Sequence, residues 1–144
     1  MGVPARLIVC ERTGRWAVAL RGESAFAGVR VWETRSLAEC WKLLAESPCS
    51  FLVAELTSAN ADDLLRRLAR LEREFPGVRA AVVARRSLAD HQWLVREAGA
   101  IHFTCSPRQL TPLAEAACRH LCQVEVSEPA LSERMWASLP WEGR

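Results

Sequence analysis

Short apolar runs alternate with amphipathic stretches five times along the chain. The runs are Leu7-Ile8-Val9-Cys10, Val29-Arg30-Val31-Trp32, Phe51-Leu52-Val53-Ala54, Ala80-Ala81-Val82-Val83-Ala84 and Ile101-His102-Phe103-Thr104. The first, third and fourth have no polar position to turn towards water, the pattern of central strands in a parallel sheet covered on both faces. The second alternates, with Arg30 between Val29 and Val31, and is predicted to lie nearer an edge.

Between the runs, apolar positions recur at helical spacing behind polar starts. Thr13 stands where it can cap a first helix carrying Trp16, Ala17 and Leu20. Ser36 with Glu39 forms a capping box ahead of Leu37, Cys40, Trp41 and Leu44. Asn60 precedes the stripe Leu64, Leu65, Leu68, Leu71, and Ser87 with Asp90 makes a looser box before Leu94 and Val95. Thr111-Pro112 sets proline at the first position of a fifth helix through Leu113, Ala116, Ala117 and Leu121. Gly22, Gly77 and Gly99 fall near helix ends, where a left-handed residue is often required. This alternation implies right-handed crossovers and a three-layer α/β sandwich.

The fifth run closes the stretch Ala98-Gly99-Ala100-Ile101-His102-Phe103-Thr104-Cys105-Ser106-Pro107. That stretch resembles the fifth-strand signature of response-regulator receiver domains, and the likeness extends over roughly residues 5–122. It implies a CheY-like, flavodoxin-like sandwich with five parallel strands in the order 2-1-3-4-5 and five helices. The site of such a sheet lies beyond the carboxyl ends of its strands, here Cys10, Glu11, Glu55, Ala84, Arg85, Cys105 and Ser106. A receiver has an acidic pair after strand one, where this chain has Cys10-Glu11. Its phosphorylated aspartate ends strand three, where this chain has Glu55. The Thr or Ser ending strand four is replaced by Ala84, and the lysine before the proline by Ser106. Pro107 is retained, with the family's cis peptide expected before it.

Aspartyl phosphorylation needs a carboxylate at the right reach, a divalent cation held by neighbouring acids, and a cation facing the transferred group. Glu55 is one methylene too long, one acid of the pair is missing, and the lysine is absent. The resemblance therefore implies a degenerate pseudo-receiver that is not an enzyme, with no metal and no cofactor. Glu55 has two readings: a fixed charge imitating a phosphorylated residue and paired with Arg85 or Arg86, or a solvated acid beside two solvated arginines. Thr13-Gly14 fits a helix start better than a phosphate loop. Cys118 and Cys122, one turn apart, lack a second pair with metal-site spacing. Arg66, Arg67, Arg70 and Arg73 alternate with acids and read as a solvated face rather than a nucleic-acid surface.

Composition narrows the partners. The chain has 144 residues, half of them apolar, and a formal charge of +2. Residues 123–144 hold two Arg and four Glu, so the remainder carries +4, too little to argue for nucleic acid. Six cysteines lie mostly in apolar periodic segments, the N-terminus shows no apolar leader, and no apolar run approaches a membrane span. The expectation is a reduced, cytoplasmic protein of one domain, residues 1–122, with a tail, 123–144.

Six tryptophans and no tyrosine are present. Trp16 and Trp41 fit core-facing helical positions. Trp93, beside His91 and Gln92, falls on the helix 4–strand 5–helix 5 surface that receivers use for docking and homodimers, and an exposed tryptophan there suits a contact. The tail keeps Met135, Trp136, Leu139 and Trp141, unlike a disordered segment. Pro129 is expected to open a short helix, with Leu139-Pro140-Trp141 extended after it. Either the tail folds back on its own domain or it docks into a partner. Two functions compete: a non-catalytic signalling module binding protein partners, and a flavodoxin-like protein binding a small molecule or nucleotide at the carboxyl edge.

Overall fold

A computed structural model describes residues 4–138, with the backbone alone described for 125–138. Five strands, β1 (Leu7–Cys10), β2 (Val31–Thr34), β3 (Phe51–Leu56), β4 (Arg79–Ala84) and β5 (His102–Thr104), form one sheet. All pairings are parallel and the order is 2-1-3-4-5, as expected. The connecting helices are α1 (Arg15–Arg21), α2 (Leu37–Glu46), α3 (Ala61–Glu74), α4 (Gln92–Glu97) and α5 (Thr111–Ser138).

Strand alternation divides the core into two layers. Ile8, Leu52, Ala54, Val82 and Phe103 face Leu44, Trp41, Leu64, Leu68 and Val95 of α2, α3 and α4. Their neighbours Leu7, Val9, Phe51, Val53 and Val83 face Trp16, Leu20, Leu113 and Ala117 of α1 and α5. Trp16 and Phe51 are fully buried, Phe51 contributing about 1.5–3 kcal/mol of transfer free energy. Trp41 is buried and Trp93 is 68% exposed.

Several local expectations are corrected. The second strand begins at Val31, not Val29, because the Val29 N–H bonds the Phe26 carbonyl at 2.9 Å and closes a 3₁₀ turn. The Ser87–Asp90 box does not start a helix: Arg86–His91 is a 3₁₀ segment without a side-chain cap, and α4 follows it. Of the three glycines placed at helix ends, Gly99 alone is left-handed (φ 121°). Gly77 serves packing instead, since a Cβ there would lie 2.9 Å from the Pro48 carbonyl oxygen. The Ser106–Pro107 peptide is trans. Gln109 N–H bonds the Ser106 carbonyl at 3.1 Å, which puts Pro107 second in its turn, a position suited to trans proline. Helix α5 continues through Pro129 to Ser138, so no new helix opens at Pro129, although a proline inside a helix removes one i→i−4 bond and crowds the preceding turn. Leu139 and Trp141 lie outside the described residues, as do the side chains of Met135 and Trp136.

Candidate functional site at the carboxyl edge

Glu11 follows the last residue of β1, and its backbone N–H is fixed to the Thr34 carbonyl of β2 at 3.1 Å. Its side chain is turned onto the start of α1. One carboxylate oxygen accepts from the Trp16 N–H at 2.8 Å and the other from the Ala17 N–H at 2.6 Å. The group is 2% exposed. Glu11 thus satisfies two of the unpaired donors of the first turn of α1 and sets a negative charge at its positive end. Thr13, the expected cap, only accepts from the Arg15 N–H at 3.4 Å. Gly14 makes the arrangement possible: its φ of 87° bends the chain sharply before Arg15, a conformation costly for any residue with a Cβ.

Glu55, the penultimate residue of β3, is half-buried and accepts from the Arg12 N–H at 3.2 Å. Among the described residues neither Arg85 nor Arg86 forms an ion pair with it. The loop after Glu55 is tied by Asn60, which also does not cap α3. Its amide donates to the Glu55 carbonyl at 2.8 Å and its oxygen accepts from the Thr57 N–H at 2.7 Å. A cleft of about 530 Å³ lies beside these groups, lined by Glu11, Arg12, Arg35, Glu55, Asn60 and Arg67 among others. A second, of about 570 Å³, runs from Arg12 and Glu55 to Arg85 and Ser87.

The remaining sequence-predicted residues fall around this edge but are not one cluster. Ala84 is fully buried at the end of β4. Cys10 is 4% exposed. A hydrogen bond from the Cys40 thiol holds the Cys10 thiol below its usual range, with Thr34 adding to the effect and burial opposing it. The donor thiol of Cys40 is pushed up correspondingly by that bond and by burial. Ser106 and Pro107 line a separate cavity with Arg85 and Arg86. There the Ser106 oxygen accepts from the Arg108 N–H at 3.3 Å. Burial raises the neighbouring Cys105 thiol, partly countered by Arg86. No group of three or more metal-ligating side chains occurs among the described residues.

Sequence reasoning missed the role of Glu11 and the presence of Arg12, Arg15, Arg35 and Arg108 at the edge. The Glu11 cap spans five and six residues, beyond the local spacing of a capping box. The arginines do carry a signal: each follows a strand end by a few positions, and parallel topology gathers those ends together.

Two helices on one face, three on the other and the strand order 2-1-3-4-5 define a CheY-like α/β sandwich. No family model matches the chain, and none of the curated proteins does. Solved structures do. A response regulator from Thermotoga maritima matches with a TM-score of 0.67 at 18% identity, covering 83% of this chain and 99% of its own. A Burkholderia pseudomallei response regulator, solved with a phosphorylated aspartic acid, calcium and citrate, gives 0.63 at 18%, covering 86% and 72%. The CheY-like protein TadZ from Pseudomonas aeruginosa PAO1 gives 0.61 at 18%, covering 78% and 98%. At this identity the likeness establishes the fold. No described helix is long and apolar enough to cross a membrane.

Proposed function

We propose that this domain is a pseudo-receiver, a signalling module that acts by binding proteins and does not take up phosphate at the strand-three position. One observation carries the reading: both oxygens of Glu11, the acid left after β1, are engaged by the Trp16 and Ala17 N–H groups. Each oxygen keeps a lone pair, but the side chain is 2% exposed, so a divalent cation would have to draw it away from α1, and Glu55 alone is a poor ligand set. The absence of a hydroxyl at Ala84 and of a lysine at Ser106 points the same way. The flavodoxin-like alternative has less support at α1, since the two N–H groups that would hold a phosphate are those Glu11 occupies.

The partner surface we assign to α4 and β5. Trp93, Leu94 and Ile101 are 68%, 47% and 44% exposed there, and large apolar side chains in water favour contact. The segment from residue 123, with Met135, Trp136, Leu139 and Trp141, is the second proposed contact. Incubation with acetyl phosphate and Mg²⁺ tests the first claim by intact-mass measurement. No phosphoryl adduct is expected; an adduct mapped to Glu55 defeats the reading.

A further inference from the structure

We infer that the carboxyl edge holds a binding site for a soluble small molecule bearing a diphosphate, in a cavity that Glu55 does not line. The cavity is about 380 Å³ and is lined by Arg15, Arg85, Arg86, Arg108, Ser106, Cys105 and Pro107. Four arginines thus border one concavity, and no Asp or Glu lines it. The ion pairs among the described residues join Arg6 to Glu46, Arg21 and Arg35 to Glu33, and Arg67 to Asp63. None of the four cavity arginines takes part in them.

These charges come from the segments that follow β1, β4 and β5, Arg15 being the first residue of α1 and Arg86 the first of the 3₁₀ segment. Parallel topology makes the strands end together, so the convergence is fixed by the fold. The Arg15 guanidinium carbon lies 5.4 Å from the Trp16 ring centroid, within cation–π range. Arg85, Arg86 and Arg108 are exposed. Gathered like charges repel, and a concave wall strengthens the field they make. An anion relieves that repulsion, and a guanidinium fork fits two phosphate oxygens at once.

Charge selects the ligand. A phosphate monoester carries about −1.5 to −2 at neutral pH, and four arginines exceed it, whereas a diphosphate comes nearer to balance. The volume falls within the usual span for small-ligand sites, about 300–1,000 Å³. No aromatic ring lines the cavity, so the phosphates and not an attached base would supply the recognition. The Ser106 oxygen accepts from Arg108 N–H, leaving its hydroxyl hydrogen free to donate. The site does not depend on whether Glu55 accepts a phosphoryl group.

Inorganic pyrophosphate is the probe, titrated by calorimetry into the full chain at physiological salt beside phosphate, sulfate and an oligoglutamate peptide. Pyrophosphate is expected to bind at least tenfold more tightly than phosphate or sulfate. It should also slow alkylation of Cys105 by iodoacetamide, followed by peptide mass, without slowing that of the exposed Cys122. The double variant Arg85→Gln/Arg86→Gln should lose at least tenfold in affinity and the Cys105 protection. Arg70→Gln/Arg73→Gln, on the exposed face of α3, should lose neither. Far-UV circular dichroism confirms that both variants fold. Equal affinity in the Arg85/Arg86 variant, unprotected Cys105, no preference over sulfate, or tighter binding of the peptide overturns the proposal.

Discussion

Glu11 carries the sharpest prediction, because the structure assigns it a job that can be measured apart from any partner. Its carboxylate accepts two N–H groups of α1 at 2.8 and 2.6 Å and is 2% exposed. Glu11→Ala leaves both donors buried and unpaired. An orphaned buried donor costs about 1–3 kcal/mol, and loss of a helix cap typically costs about 0.5–2 kcal/mol. Allowing for some relaxation around the first turn, we expect a loss of about 2–4 kcal/mol, or roughly 6–15 °C in Tm for a domain of this size. Glu11→Gln should cost less. Its amide oxygen still accepts one N–H, but its NH₂ faces the other, and the favourable charge at the helix end, about 0.3–1 kcal/mol, is gone.

Urea unfolding followed by far-UV circular dichroism measures the effect as a fall in midpoint at constant slope. Glu55→Ala is the control, since Glu55 accepts a single N–H at 3.2 Å and is half-buried. It should cost no more than about 1 kcal/mol. If Glu11→Ala lies within about 0.5 kcal/mol of the parent chain, the ordinary scatter for surface positions, the capping argument is wrong. A Gln variant as stable as the parent would refute it equally.

Burial holds the His102 imidazole below its ordinary value, and Arg96 adds to the shift. The unfolded chain therefore takes up a proton first as pH falls below about 6.5, and stability declines from there down through the folded-state value; His102→Gln should flatten that limb in urea midpoints taken across it. Gly77→Ala drives a Cβ to 2.9 Å from the Pro48 carbonyl oxygen and 3.0 Å from the Cys49 sulfur, and should lower stability by about 1–3 kcal/mol in the same assay. Trp93→Ala, at a side chain 68% exposed, should leave the urea midpoint within about 0.5 kcal/mol while weakening retention of any bound protein; a large loss of stability instead would assign Trp93 to the fold. Glu55→Asp/Ser106→Lys introduces a shorter acid and a lysine but leaves Glu11 on α1, so saturable Mg²⁺ binding by calorimetry should still be absent, and its appearance would refute the argument that the Glu11 cap keeps a cation out.

The sheet was legible because burial on both faces leaves a plain record. Leu7 to Cys10, Phe51 to Ala54 and Ala80 to Ala84 have no polar position, and each forms a central strand. Ser36 caps α2 as its spacing predicts, its oxygen accepting from the Glu39 N–H at 3.1 Å, since that bond joins residues three apart. The missed features join residues further apart or depend on backbone that no side chain announces. Glu11 reaches across Gly14 to α1, and Asn60 turns back to Thr57 and Glu55 where its sequence position suggested a helix start. Arg15, Arg85, Arg86 and Arg108 are ordinary solvated arginines in one dimension; only the topology makes them neighbours.

One side-chain orientation thereby bears on two chemistries. Freeing Glu11 for a cation would cost the roughly 2–4 kcal/mol expected for its cap, and at about 1.4 kcal/mol per tenfold this weakens any cation site by roughly 30- to 700-fold. Freeing the Trp16 and Ala17 N–H groups for a phosphate would cost the same and would set the displaced carboxylate against the incoming anion. Both routes start from a satisfied, buried bond network. The four cavity arginines stand in the opposite condition, exposed and in none of the ion pairs among the described residues. Binding a ready-made anion there breaks none of the ion pairs among the described residues, whereas a cation at Glu11 must compete with α1 for the carboxylate. The proposed function rests on that difference in cost.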